Sequence, residues 1–497
     1  MRGFGGSQGR FSRVCRQMAP RQYRGHGAAR ARRLPGEYLA YGIRHGPRGF
    51  GGTIGGAGGF HVRIVRPVRS FHTHPVSRRP DGAPRPGLSY DLMGPLEMRI
   101  SSAQSSIRFP EILDPSVERC MPVLLAGGRG SRLHELTDRQ CKPAVAFGSG
   151  DGRIVDFVLA ALARAGFPSL FVATQYRPRD LSRHLEDRWA HHFPRGILQR
   201  DGAALAACGF RGTADALRQT ATLIDAHAPR EVMILSGDHV LDLDLRALLA
   251  HHRAQGCAAT VVATAVPRHE ARGFGVFEEG PDGRVLGFAE KPPRPVPMRG
   301  DPERALASAG LYVFDWIWLK AALRADAERE DTRHDFGHDI LPMAMAAGEL
   351  SVWRMPQAGA GQGAYWRDVG TLDAYRRSQL DFAGAEPPVP LPQTMRRPVT
   401  FARDSALEGS VLLPGATVGR RCHLRDTLVG SGVRLPDGFQ AGLDAEEDAR
   451  WFRRSSGGTL LITAEMMNRR ETALRRPAAR ALFRHPPQMA AVSALES

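Results

Sequence analysis

A chain of 497 residues, 42% of them hydrophobic, can bury a sizeable core, and its length suits two domains plus an extension. The formal net charge of +17 suggests nucleic acid only until it is located: residues 1–100 hold 18 Arg against Glu37, Asp81, Asp91 and Glu97, which is +14, so the rest carries only +3. No apolar run is long enough to cross a membrane or to resemble a secretory signal, and six cysteines (15, 120, 141, 208, 257 and 422) without CxxC or metal-like spacing fit free thiols in a reducing cytoplasm.

Residues 1–95 are rich in Gly, Arg, Pro and His and show little periodicity, so they cannot bury enough apolar surface to offset chain entropy. Disorder is expected there, with three readings open. The segment is upstream sequence included by a misassigned start, Met93 or Met98 being the true one; or a basic tail touching nucleic acid weakly; or an Arg-rich, acid-poor transit peptide.

From Met121 strands and helices alternate, which predicts a doubly wound α/β domain over 120–382. Strand-like runs are Pro122–Ala126, Leu170–Thr174, Val232–Leu235, Ala259–Ala265 and Gly310–Phe314. Amphipathic helices are predicted over Ile154–Ala165, Ala214–Asp225 and Asp244–Ala254. Ligands in such sheets bind at the carboxyl ends of strands. There, Gly127, Gly128 and Gly130 follow the first strand, so backbone N–H groups can turn towards an anion, and Arg129, Arg132 and Lys142 add positive charge.

The chain has 68 Lys+Arg but only three lysines, Lys142, Lys291 and Lys320. Where Arg replaces Lys so widely, a retained lysine marks a need for a compact point charge. Lys142 and Lys291 each precede a proline beside a strand-like run, whereas Lys320 reads as a solvated helix residue. Asp238 follows the strand Val232–Leu235 and is placed to hold Mg²⁺, with Asp368 as a second oxygen ligand. Thr213 is placed to cap a helix or to meet a nucleotide.

The Pro-rich stretch 383–402 reads as a linker. Beyond it Leu412, Val418 and Leu424 recur at spacing six, with Ala416 and Cys422 between them, which fits a left-handed parallel β-helix over 403–467. Residues 468–497 form a basic tail.

The runs Leu125-Ala-Gly-Gly-Arg-Gly-Ser-Arg-Leu133 and Lys142-Pro-Ala-Val145 resemble the signature of sugar-nucleotide pyrophosphorylases. Over about Met121 to Met467, Arg211-Gly-Thr-Ala-Asp-Ala216, Trp366-Arg-Asp-Val-Gly-Thr371 and Asp444-Ala-Glu-Glu-Asp-Ala-Arg-Trp-Phe-Arg-Arg454 are similar to the bacterial glucose-1-phosphate adenylyltransferase family. The resemblance implies a Rossmann-like nucleotidyltransferase domain followed by a β-helix. It also implies a Mg²⁺-dependent reaction of ATP with α-D-glucose 1-phosphate in a cytoplasmic homotetramer serving glycogen synthesis.

It assigns Leu125, Ala126, Gly127, Gly128, Gly130, Gln175, Gly212, Thr213 and Gly237 to the nucleotide. Arg132, Lys142 and Asp238 become catalytic, and Asp238 and Asp368 the metal ligands. Phe210, Gly275, Glu290, Lys291, Ser308, Asp335 and Trp366 become glucose 1-phosphate residues, Lys291 meeting the phosphate and Glu290 the hydroxyls; Arg139 and Arg153 match allosteric positions.

Departures accompany the match. Phe210 stands where a tyrosine often reaches the glucose phosphate, which predicts weaker sugar-phosphate binding. Gln140 and Ala146 replace an arginine and a histidine linked to AMP inhibition, and the stretch before the repeat is short, which puts the family's tetramer interface and regulatory cleft in question. Rival readings are a pyrophosphorylase using dTTP or UTP, a catalytically silent partner subunit, and a nucleic-acid-binding protein acting through the basic arm. Intact Lys142, Asp238, Lys291 and Asp368 oppose the silent subunit.

Overall fold

In the computed structural model the described residues fall within one compact unit. The structure describes residues 63–65 and 115–482, apart from 149, 206–207, 357–363, 385–386 and 390–403. Most of the extension 1–95 and of the linker 383–402 lies outside the described residues, as does the end of the tail.

One mixed ten-stranded sheet organises the larger domain. Its strands are β1 (Arg63–Val65), β2 (Cys120–Ala126), β3 (Ser169–Thr174), β4 (Gly196–Asp201), β5 (Glu231–Ser236), β7 (Ala259–Pro267), β8 (Gly275–Glu279), β9 (Val285–Glu290), β10 (Arg304–Asp315) and β11 (Leu350–Arg354). A separate antiparallel pair joins β6 (His239–Asp242) to β12 (Tyr365–Asp368). The order is β1-β4-β3-β2-β5-β10-β7-β11, with the β8–β9 hairpin hung from β10. Strands β4, β3, β2 and β5 run parallel, and β10 runs antiparallel between β5 and β7.

The central strands are near-continuous apolar runs because helices cover both faces of the sheet. Val123, Leu124, Val172 and Ile234 are fully buried. Helices α1 (Asp156–Ala165), α2 (Thr213–Asp225), α3 (Leu245–Gln255) and α4 (Trp316–Ala327) supply much of that cover. The Asp244 side chain accepts from the N–H groups of Arg246 and Ala247 to start α3, and Gly256 at φ 63° follows its end.

The predicted strand Gly310–Phe314 begins earlier than expected. Gly310 lies inside β10, at φ 68°, where the register against β7 shifts between Ser308 and Tyr312. It marks a bulge instead of a strand start. The short β4, β8 and β9 escaped detection because Gly, Gln, Arg and Glu interrupt their apolar pattern.

The C-terminal domain is a parallel β-helix of the hexapeptide kind. Ala406 pairs with His423 and His423 with Gln440, Val411 with Leu428, and Thr417 with Arg434, which builds three short parallel ladders. The buried Leu412, Val418 and Leu424 keep the spacing of six. The next inward residue is Val429, only five further on, across the corner at Asp426; left-handed residues also stand at the six-residue corners, Gly415 and Arg421. Each coil therefore closes in 17 residues, as in the Ser410–Thr427 hydrogen bond that links successive coils.

The predicted basic tail from 468 is, in its first part, helix: α6 runs over Ala464–Leu482, and Met466 and Met467 are buried against the β-helix. Its own first turn therefore belongs to what was read as β-helix. Helix α5 (Leu372–Asp381), which follows β12, lies between the two domains. Leu133, Leu136, Val369 and Leu372 share one buried cluster with Leu413, Leu428 and Leu461 of the β-helix. Among the described residues no helix is long and apolar enough to cross a membrane.

Candidate active site

At the carboxyl ends of β2, β3 and β5 the sheet opens into a cleft of about 350 Å³. The chain leaves β2 at Ala126 and turns through Gly127 to Gly130, which is left-handed at φ 68° and precedes the 3-10 helix Ser131–Thr137. A Cβ on Gly130 would stand 2.8 Å from Lys142 Cβ, so both the conformation and the contact require glycine. A Cβ on Gly128 would meet nothing within 4 Å, which leaves the loop's exposed edge open to a ligand. Leu125, Ala126, Gly127, Gly128 and Gly130 all line the cleft. Gly237 lies just behind it, donating its N–H to the Leu125 carbonyl at 2.9 Å. Arg129 stands 5.7 Å over the Tyr176 ring.

The charged centre is a three-residue constellation. The buried Lys142 ammonium donates to Asp238 Oδ2 at 2.9 Å and to Asp368 Oδ1 at 3.3 Å. The pairing of β6 with β12 brings the aspartates together, since Asp368 lies opposite His239, the neighbour of Asp238. Burial alone would push the Asp238 carboxyl up. Lys142, His239 and the Ser236 hydroxyl more than offset that and hold it well below the usual carboxylate range. Ser236 donates a short hydrogen bond to Asp238.

Arg132 reaches the same region from the 3-10 helix. A Cβ on Gly370 would stand 2.8 Å from Arg132 Nη2 and 2.9 Å from Asp368 Oδ2. Among the described residues no three His, Cys, Asp or Glu side chains form a ligand cluster. Two carboxylates alone suit a hard cation that completes its shell with phosphate oxygens and water, which is how magnesium binds.

Gln175, at the end of β3, accepts from the Phe210 N–H at 2.7 Å and so fixes the turn through Gly209 and Phe210. Phe210 itself lines this cleft, although the resemblance grouped it with the sugar residues. Thr213 opens α2 without capping it. Its hydroxyl donates to Asp335 Oδ2 at 2.8 Å and accepts from the Phe336 N–H at 3.0 Å. The His334 carbonyl accepts from Ala214 N at the start of α2. That close approach requires Gly212, where a Cβ would fall 2.3 Å from the His334 oxygen.

Asp335 carries more structural duty than a hydroxyl acceptor needs. Besides Thr213 it accepts from the N–H groups of Gly337 and His338 at 2.9 and 3.1 Å, capping the turn Phe336–Ile340, and it faces the cleft. His334 before it is left-handed at φ 54° and held by a buried Asp326, 2.8 Å from its Nδ1.

The remaining residues that the resemblance assigned to glucose 1-phosphate lie beyond the cleft. Glu290 ends β9, and Lys291 after it is left-handed at φ 48°, its ammonium 2.6 Å from Glu290 Oε1. The Lys291 side chain is 60% exposed, whereas that of Lys142 is 5% exposed. A Cβ on Gly275 would crowd Glu290 Oε2 at 2.8 Å, and one on Gly337 would lie 3.5 Å from it. Trp366 donates its Nε1–H to the Ala309 carbonyl at 3.0 Å and stands 5.5 Å from both His239 and Phe274.

Ser308 accepts weakly from the Gly310 N–H at 3.3 Å. It also bonds Tyr312, whose phenol is pushed up to about 12 by burial. Tyr312, Ser236 and His239 went unassigned in the sequence; Ser236 and His239 simply flank Asp238 in the chain, whereas Tyr312 is reached only through the bulged register of β10.

The two positions matched to regulation lie apart from the cleft. Arg139 is exposed and pairs with Glu465 on α6 at 2.9 Å. Arg153 contacts the Ala144 carbonyl and Gln140 Oε1.

A family model described as nucleotidyl transferase matches residues 121–383, and one described as GlmU-like, C-terminal hexapeptide matches 394–462. The glucose-1-phosphate adenylyltransferase of Cereibacter sphaeroides is 36% identical over 414 residues, covering 72% of this chain and 97% of that relative. The protein of the same name from Jannaschia sp. is 35% identical, covering 72% and 98%. That from Granulibacter bethesdensis is 36% identical, covering 70% and 97%. The chain belongs to the nucleotidyl transferase family, within its glucose-1-phosphate adenylyltransferase group, and is an enzyme.

Proposed function

We propose that this nucleotidyltransferase joins ATP to α-D-glucose 1-phosphate, forming ADP-glucose and pyrophosphate. The observation that carries the reading is the buried Lys142 held between Asp238 and Asp368 at the mouth of a glycine-lined cleft. The names of the relatives point to the same pair of substrates.

In this reading the loop Gly127–Gly130 presents backbone N–H groups to the triphosphate, and Arg132 and Lys142 stabilise charge on it. Lys291 leaves Glu290 and holds the phosphate of the sugar, freeing the Glu290 carboxylate for hydroxyls. An oxygen of that phosphate attacks the α-phosphorus in line, a P–O bond forms, and pyrophosphate leaves with the electrons of the broken one. Positioning and charge neutralisation suffice for such a transfer. Mg²⁺ on Asp238 and Asp368 would neutralise charge on the phosphates. The reading extends to a role supplying glycogen or α-glucan synthesis and to a homotetramer, which sedimentation of the purified protein tests.

The deciding experiment follows pyrophosphate release with ATP, UTP, dTTP, GTP and CTP in turn, beside glucose 1-phosphate and Mg²⁺. Release with ATP, abolished in Asp238→Ala, is the expected result. Release with another nucleotide alone would replace ATP in the reading. Silence with all five would overturn it in favour of a non-catalytic subunit.

A further inference from the structure

We infer that the β-helix is part of the catalytic apparatus, a clamp that sets the spacing between Arg132 and Asp368, with Arg453 and Glu135 as positioning residues. The inference rests on the reading that Arg132 and Asp368 serve the phosphates. The two residues come from segments far apart in sequence, and each segment is tied to the β-helix just beyond its functional side chain.

The first segment is the 3-10 helix Ser131–Thr137. Three residues after Arg132, the Glu135 carboxylate receives Arg453 in a two-pronged grip: Nε lies 2.8 and 2.7 Å from its two oxygens, and Nη2 lies 2.6 Å from Oε1. Such fork geometry fixes direction as well as distance. The flanking Leu133 and Leu136 bury themselves in the cluster that holds Leu428 and Leu461.

The second segment runs from Asp368 into α5. There Asp373 accepts from Ser455 Oγ at 2.6 Å, from Thr459 Oγ1 at 2.7 Å, and from the N–H groups of Thr459 and Gly457 at 3.2 and 3.3 Å. Arg376, one turn on, donates to Thr459 Oγ1 at 3.0 Å and pairs with Asp426 at 2.8 Å. Arg453, Ser455 and Thr459 lie within seven positions of one another, so one stretch of the β-helix grips both segments.

The grips converge on Gly370. The space between Arg132 Nη2 and the Asp368 carboxylate there is too small for even a methyl group. A displacement of about 1 Å in either segment therefore changes the charge geometry directly, and misplacement on that scale costs about 10²-fold in rate. The Arg453–Glu135 pair is partly solvated, with side chains 42% and 24% exposed, so it adds little to stability. Position and stability can thus be separated by experiment.

The test measures steady-state kinetics, melting temperature and hydrogen exchange for Arg453→Ala, Glu135→Gln and the exchanged pair Glu135→Arg with Arg453→Glu. Both single variants should lose about tenfold in kcat, keep KM for glucose 1-phosphate within twofold, and melt within about 2 °C of the parent. The exchanged pair should recover at least half of the lost kcat. Rates within twofold of the parent in both single variants, or a kcat loss matched by a large drop in melting temperature, would overturn the inference.

Each measurement uses whichever nucleotide the parent turns over. A parent silent with all nucleotides refutes the function reading instead, and exchange then decides. Faster exchange over residues 131–137 in Arg453→Ala, with the β-helix strands unchanged, supports the clamp, and unaltered exchange there refutes it.

Discussion

In the proposed reading, the nucleotide side and the sugar side of the site are built on different principles. The nucleotide side is closed and held in place before any ligand arrives: Lys142 is buried and doubly paired, Gln175 is tied to Phe210, and Thr213 to Asp335. The sugar side is open, and its one lysine is exposed and paired with its own neighbour, Glu290. Ordering the second side costs side-chain freedom and an ion pair at the moment of binding, whereas the first has met those costs during folding. Nucleotide is therefore expected to bind to a ready surface, and sugar phosphate to a surface that it reorganises.

Variants on the closed side should break catalysis, and those on the open side should move binding. Lys142→Ala is expected to have the largest effect, a loss of about 10²–10³-fold in kcat, because it removes a preorganised charge from a sheltered site. The same variant sharpens the contrast through pH. Asp238 has a folded pKa below its unfolded one, so its stabilising contribution is complete above about 3.9 and is lost only as pH falls through the folded value. Without Lys142 the carboxyl should titrate higher, and the acid limb of the rate profile should shift towards neutral pH.

Gly212→Ala comes next. Its Cβ would meet backbone oxygens of His334 and Arg333 at 2.3 and 2.5 Å, so the chain must move. Overpacking of this kind costs about 1–3 kcal/mol, which calorimetry would read as a lower melting temperature, together with a raised KM for ATP.

On the open side Lys291→Ala should raise KM for glucose 1-phosphate by about 10- to 100-fold while kcat changes less, since one charged hydrogen bond is worth about 1.5–3 kcal/mol. The smallest effect is expected from Phe210→Tyr, which returns a hydroxyl beside the cleft. KM for glucose 1-phosphate should fall by at most about tenfold, near the low end of that range. Equal effects of Lys142→Ala and Lys291→Ala on KM would erase the distinction between the sides.

What could be read in the chain beforehand follows the range of the interactions involved. The glycine turn, Asp238 and the helix Asp244–Ala254 depend on neighbours a few positions away, and strand, turn and cap chemistry are written locally. The fold class followed from the same local periodicities. Thr213 looked like a cap because its true partners, Asp335 and Phe336, lie more than 120 positions away. Gly310 looked like a strand boundary because a bulge and a break share one local signal. The hexad was visible in Leu412, Val418 and Leu424, but not the five-residue step to Val429, because the left-handed corner there is shared by the six-residue steps and so leaves no distinct local signal. Helix α6 hid in a basic stretch because its few apolar anchors, Met466 and Met467, sit at its start.

The Lys142 constellation also sets a timetable for the chain's own synthesis. Its partners lie 96 and 226 positions downstream, so the lysine emerges from the ribosome long before the carboxylates that neutralise it. At about 5–20 residues per second, the glycine turn waits roughly ten to fifty seconds for Asp368. Through that interval the glycine turn and Lys142 exist without the paired carboxylates that complete the constellation.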